Sequence, residues 1–180
     1  MNYLTKNLEM KSLLKISFLM LACLLLSSSV FAQDKSKRAS PPTEAIAKVG
    51  EADVKVVYSA PSAKGRTIWG ELVPYGKVWR AGANEATTFE TSTDLSIDGN
   101  TLAAGKYSIF LLPNDGEWTF IFNSIADQWG AYQYDEKKDV LRVVAKPEMV
   151  DSKSELLTYE IENDKLWLIW DDQMGAISLK

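Results

Sequence analysis

The chain contains no histidine, and its single cysteine is Cys23, near the start of the 180 residues. Beyond that point there is no thiolate nucleophile, no disulfide, no triad using His and no zinc site built on His or Cys. An excess of basic charge is missing as well: 20 Lys and Arg stand against 24 Asp and Glu, a net charge of −4. Nucleic acid is therefore not expected as a partner, because phosphate binding needs a clustered basic surface. The only basic cluster, Lys35-Ser36-Lys37-Arg38, reads as a solvated tail. Long apolar runs are also lacking. The best one, residues 16–26, has 11 residues, where a membrane-spanning helix needs about 20.

That run fits another use. Lys11 and Lys15 precede it, and Val30-Phe31-Ala32 follows with small residues at the third and first positions before Gln33, the pattern of a cleaved export signal. Cys23 raises a lipid-anchored alternative, but Met20-Leu21-Ala22 fits a lipid-attachment motif poorly and the run continues through residues 24–26. A soluble periplasmic or secreted product is expected, with no membrane span after signal removal. Three Lys and one Glu leave with residues 1–32, so 148 residues remain, with 17 basic and 23 acidic side chains and a net charge of −6.

About 150 residues suit one domain with its own core. Residues 33–42 are polar, charged and end in Pro41-Pro42, a flexible leader to a body over residues 43–180. The body reads as strands. Val54, Val56 and Tyr58 alternate with polar neighbours, as do residues 156–161, the period-two pattern of a half-buried sheet. Residues 107–112 and 118–122 are apolar on nearly both faces and read as central strands. Asp98-Gly99, Asn114-Asp115-Gly116 and Asn163-Asp164 supply hairpin turns between apolar runs, and Gly50 with Asp53 suits a further hairpin joining residues 43–49 to 54–58. Residues 66–72 are expected to hold one helical turn, and residues 127–138 a loop. About nine short strands at this spacing predict an all-β, mainly antiparallel fold, a β-sandwich or jelly-roll-like single domain with long functional loops.

The densest chemistry lies in residues 74–89, PYGKVWRAGANEATTF, where Lys77, Trp79, Arg80, Asn84 and Glu85 stand among small residues. Around it the blocks Tyr58-Ser59-x-Pro61-Ser62-x-Lys64-Gly65-Arg66, Leu72-Val73-Pro74-Tyr75-Gly76-Lys77-Val78-Trp79-Arg80, Gly82-Ala83-Asn84-Glu85-Ala86-Thr87-Thr88, Ala104-Gly105-x-Tyr107 and Gln128-Trp129-Gly130-Ala131-Tyr132 occur in order. Together they resemble the exported bacterial domain-of-unknown-function family 2911, over about residues 39–147. The resemblance ties the central segment to the blocks at Arg66 and Trp129 and implies export, but that family has no assigned activity to carry over. Where its pattern often places a histidine after Arg38-Ala39-Ser40-Pro41, this chain has Pro42, so any role of that histidine is closed to it.

Arg80 offers a planar fork of donors suited to a carboxylate or phosphate, and Asn84 and Glu85 offer acceptors. The competing reading is an Arg80 to Glu85 ion pair that braces a loop. Trp129 with Tyr132 and Tyr134 forms the best candidate platform for a sugar ring, with Gln128, Gln133 and Asp135 at its edge; closing the end of a sandwich core is the alternative use of such residues. Trp118, Trp167 and Trp170 fall in strands and read as packing. Glu85 and Asp135 are the only carboxylate pair suggested for glycoside hydrolysis. A Ser59 or Ser62 arrangement with Lys64 lacks a complete nucleophile motif. Asp94, Asp98 and Asn100 lack the rest of a calcium loop and read as a hairpin.

The expectation is a non-catalytic exported binding module for a small polar or saccharide-like ligand of the cell envelope. Arg80, Asn84, Glu85, Trp79, Lys77, Trp129, Tyr132 and Arg66 are the candidate ligand-binding residues, with no metal and no cofactor expected and oligomeric state left open. A glycan hydrolase using Glu85 and Asp135 and a structural envelope protein with no small ligand are the alternatives.

Overall fold

The computed structural model describes residues 34–180; the expected signal segment, its cut before Gln33 and Cys23 lie outside them. Within the unit Lys35–Lys180 the strands are β1 Pro42–Val49, β2 Ala52–Ser59, β3 Thr87–Thr91, β4 Leu95–Ile97, β5 Asn100–Leu102, β6 Gly105–Asn114, β7 Glu117–Asn123, β8 Asp139–Ala145, β9 Glu148–Glu162 and β10 Lys165–Ser178. They form a six-stranded sheet of order β1-β2-β3-β6-β7-β8 and two ribbons, β9-β10 and β4-β5, antiparallel throughout. The fold is the all-β antiparallel class that the alternation predicts.

Turn chemistry sets the hairpins. Between β4 and β5, Asp98 and Gly99 have φ of 44° and 83°, and between β9 and β10, Asn163 and Asp164 have φ of 53° and 56°. Two successive left-handed residues give a turn whose twist matches that of the strands it joins. Gly116, at φ 75°, does the same service at the end of the β6–β7 turn. The β1–β2 hairpin also forms, with Ala45 opposite Val56 and Ala47 opposite Val54.

Strand register lines one face of the sheet with large apolar groups. Val56 stands opposite Phe89, Ile109 opposite Phe122, Leu111 opposite Phe120, and Phe120 in turn opposite Val143. Against that face the β9-β10 ribbon contributes Leu157, Tyr159, Leu166, Leu168 and Trp170 to one buried cluster. The opposite face explains why β6 and β7 are apolar on both sides: Phe110 and Ile121 are buried there against Val78, Ala131 and Tyr134. Those three residues come from the loops that carry the candidate site, so loops rather than a second sheet cover this face.

Two expectations change. Residues 66–72 make no helical turn; left-handed Gly70, at φ 86°, breaks it, and the Val73 and Leu72 amides reach back to the Ile68 and Thr67 carbonyls at 2.9 and 3.3 Å. The last two strands are long, 15 and 14 residues, not short. Their register shifts on both sides of Asp171, which takes φ 52°, so a bulge bends the ribbon and lets it follow the twisted sheet. Residues 127–138 are irregular as expected, apart from a 3-10 turn at Glu136–Lys138.

Gly175 in β10 backs directly onto the Trp118 indole: a Cβ there would lie 2.6 Å from one ring carbon and 2.9 Å from another. Trp118 is fully buried and has no room to move. Gly175→Ala is expected to destabilise by about 1–3 kcal/mol, the usual cost of overpacking, seen as a fall of several degrees in Tm. An unchanged Tm would show that the ribbon can shift away from the sheet.

Candidate functional site

Residues 60–86 cross from β2 to β3 without a regular strand, and they are pinned at a few points. Trp79 exchanges backbone hydrogen bonds of 2.8 Å with Leu111 of β6. Ala81, fully buried, adopts a left-handed φ of 53°, and its carbonyl accepts from the Thr87 hydroxyl at 2.8 Å and the Tyr159 hydroxyl at 3.0 Å. The Thr87 amide donates to the Arg80 carbonyl at 3.2 Å. Gly82 follows because nothing larger fits: a Cβ would come within 2.9 Å of the Thr87 hydroxyl and 3.3 Å of the Ser59 carbonyl. Burial pushes up the Tyr159 phenol, so it stays a neutral donor to Ala81.

Held in this way, Arg80 lines an open cavity of about 470 Å³. Lys64, Arg66, Ser40 and Ser62 supply its other polar walls, and Trp79, Trp170, Leu72 and Val73 its apolar ones. No carboxylate lines it among the described residues. Arg66 is fixed by its own neighbourhood, Nε donating to the Ala63 carbonyl at 2.9 Å and Nη2 to the Ser62 carbonyl at 2.6 Å. Arg80 differs. Its Nε is buried with no partner among the described residues, and burial lowers its pKa, partly offset by Tyr132. Beside the cavity, Trp79 stacks on Trp170 at 5.7 Å and 16°, and Trp69 meets Trp118 at 4.3 Å, so four indoles close this end of the core. Trp69 Nε1 donates to the Trp170 carbonyl at 3.2 Å, but the buried Nε1 groups of Trp118 and Trp170 have no partner among the described residues.

Glu85 belongs to a different hollow. Its carboxylate binds Arg38 at 2.8 Å and Lys35 at 2.9 Å, so the brace foreseen between Arg80 and Glu85 is not made. Burial would push the Glu85 carboxyl up, but hydrogen bonds from Lys35, its own backbone and Arg38 outweigh it and hold it at about 2. Arg38, read from the sequence as part of a solvated tail, has a side chain only 17% exposed and lies 5.9 Å over the Trp129 ring. Asn84, left-handed at φ 59°, donates from Nδ2 to the Ser40 carbonyl at 2.9 Å. Asn84 and Glu85 therefore act together to tie down residues 35–40, whose last members, Ala39 and Ser40, form one wall of the Arg80 cavity.

The remaining candidates scatter. Trp129 pairs across from Glu85 and is 55% exposed, and Tyr132 is 87% exposed. Lys77 is exposed in the turn after Gly76 and lines neither hollow. Asp135 caps the 3-10 turn, accepting from the Lys137 amide at 3.0 Å. A carboxyl held at about 2 and ion-paired is poorly matched to general acid or base work near neutral pH, and no cluster of three metal-ligating side chains occurs among the described residues. Sequence reading missed Trp170 and Lys64 as cavity walls; Trp170 lies about 90 residues from Arg80, and nothing local signals their meeting.

The family model for protein of unknown function DUF2911 matches residues 40–179. The chain belongs to this family. The match reaches almost to the C-terminus, so the β9-β10 ribbon, which carries Trp170 and Tyr159, is part of the DUF2911 domain and not an appendage to it. No curated protein and no solved structure matches the chain.

The docking of residues 35–40 carries a pH dependence with a definite sign. Glu85 is depressed from 4.5 to about 2, so its ion pairs contribute fully above about 4.5 and are lost as pH falls through about 2. Lys106 and Asp127 share the hollow and pair with each other at 3.1 Å. Protection of the amides of residues 35–40 from hydrogen exchange, taken relative to the intrinsic rate at each pH, is expected to fall on acidification in that range, and Glu85→Gln to lower it at neutral pH. Because exposed ion pairs are worth about 0–1 kcal/mol, Tm should change little. Unchanged protection in Glu85→Gln would show that the Glu85 ion pairs do not hold the segment.

Proposed function

We propose that this DUF2911 domain is an exported, non-catalytic binding module for a small polar ligand of the cell envelope, seated in the cavity lined by Arg80. One observation carries the reading. A half-buried guanidinium with an unpartnered Nε, beside an open cavity, is an arrangement that folding alone does not favour. The cavity also has a size ordinary for small-molecule sites, about 300–1,000 Å³. Export rests on the signal-like first 32 residues; N-terminal sequencing of the product recovered outside the cytoplasm is expected to begin at Gln33.

Stability and binding should part company at Arg80. Arg80→Met keeps most of the apolar stem and removes a desolvated charge, so it is expected to leave stability unchanged or raise it by up to roughly 2 kcal/mol. The same variant should lose the Tm increase that a ligand produces in a thermal-shift screen of saccharides, peptides and organic acids. A structural role predicts the reverse, a lower Tm and no ligand.

A saccharide reading has its own observation, the exposed Trp129 lining the Glu85 hollow, which has a volume of about 300 Å³. Aromatic faces with polar groups at their edge suit sugar rings. Trp129→Ala would then abolish saccharide binding while Arg80→Met left it intact.

A further inference from the structure

The walls of the Arg80 cavity are unbalanced in a way that specifies the charge of what enters. Lys64, Arg66 and Arg80 line it, no carboxylate among the described residues does, and the chain as a whole is acidic, with a net charge of −4. Nearby carboxylates are committed elsewhere: Glu155 accepts the Lys64 backbone N–H at 2.9 Å, Glu85 holds Arg38 and Lys35, and Asp171 holds Lys153 at 2.9 Å. Resting on the reading of this cavity as a ligand site, we propose that its ligand is a small molecule presenting an oxyanion, a carboxylate or a phosphate, to Arg80 and Arg66 with Lys64 beside them.

Three features support an anion over a neutral polar group. First, the charged groups of the wall are all donors. Arg66, with Nε and Nη2 engaged by carbonyls, keeps Nη1 in a fixed plane, and Lys64 and Arg80 add two further cations to the lining. A group that only accepts hydrogen bonds satisfies such a wall, whereas a sugar hydroxyl also needs an acceptor. Second, neither Arg66 nor Arg80 forms an ion pair among the described residues, so the positive charge of the wall is not neutralised within the chain. Third, the volume of about 470 Å³ exceeds what a bare phosphate fills, and the half-buried Trp79, stacked on Trp170, offers an apolar wall for the rest of the molecule. The ligand is thus an organic acid or phosphate ester with an apolar or flat body.

Isothermal titration of purified full-length protein with benzoate, phenyl phosphate, inorganic phosphate and neutral benzyl alcohol and glucose tests this. Benzoate or phenyl phosphate is expected to bind, and which of the two binds tighter assigns the group. Binding should weaken as salt rises from about 10 to about 150 mM, where the screening length falls from about 30 to about 8 Å. Arg80→Met and Arg66→Met should each weaken it by about tenfold or more. Lys77→Met, removing equal charge outside the cavity, should not. Thermal melts of each variant confirm folding, and Arg80→Lys, which retains the charge without the fork, should lie between wild type and Arg80→Met. Neutral probes binding as tightly as their anionic counterparts in an Arg80-dependent way would overturn the anion while leaving the cavity a ligand site. Equal losses in Lys77→Met and Arg80→Met would overturn it as general charge attraction. If no probe of either kind binds in an Arg80-dependent way, the cavity reading itself falls.

Discussion

The buried carbonyl of Ala81 is the point on which the arrangement turns. It accepts from Thr87, on the six-stranded sheet, and from Tyr159, on the ribbon, so one oxygen joins both layers to the loop that carries Arg80. Tyr159 is itself fixed by its edge contact with the Tyr58 ring at 4.9 Å, and its backbone N–H donates to the Tyr58 hydroxyl oxygen at 3.2 Å. Each of these hydroxyls is buried, where an unmade hydrogen bond costs about 1–3 kcal/mol. The left-handed backbone at Ala81 is unfavourable for a residue with a Cβ, and the two hydroxyls offset that cost. The loop's shape is therefore a consequence of how sheet and ribbon meet.

Much of the fold could be read because its signals are local. Asp98-Gly99 and Asn163-Asp164 dictate turns whatever lies far away, and the apolar runs of β6 and β7 mark central strands without a partner being known. The bulge at Asp171 could not be read, because Asp tolerates left-handed φ at many sites and its ion pair here is with Lys153, 18 residues away. The candidate site was legible in composition and not in pairing. Arg80 and Glu85 stand five residues apart, which makes an ion pair an obvious guess. Between them, however, Ala81 and Asn84 both take left-handed φ, and the chain reverses enough to give the two side chains different hollows. Arg38, 47 residues from Glu85 in sequence, then takes the place that proximity suggested for Arg80.

That exchange of partners decides the electrostatics of the cavity. Had Glu85 turned toward Arg80, the guanidinium would be neutralised and only Lys64 and Arg66 would remain as unopposed cations of the lining. Because Lys35 and Arg38 engage Glu85 instead, Arg80 keeps its charge unopposed on the far side of the same loop, at the expense of its own solvation. The leader residues thus act twice, once as the counter-charge to Glu85 and once, through Ala39 and Ser40, as a wall of the cavity.

The two roles are linked through Asn84. Its side chain holds the Ser40 carbonyl while its backbone sets the direction of Glu85, so the leader cannot settle on the domain without also fixing the loop. A residue with a branched or apolar side chain at position 84 would strain the left-handed backbone and leave Ser40 without its donor. Asn is among the few residue types that tolerate this conformation and also carry a donor, so one residue both fixes a wall of the cavity and carries the left-handed turn before Glu85 meets Lys35 and Arg38. The positive character of the cavity follows from backbone geometry as much as from the number of cations around it.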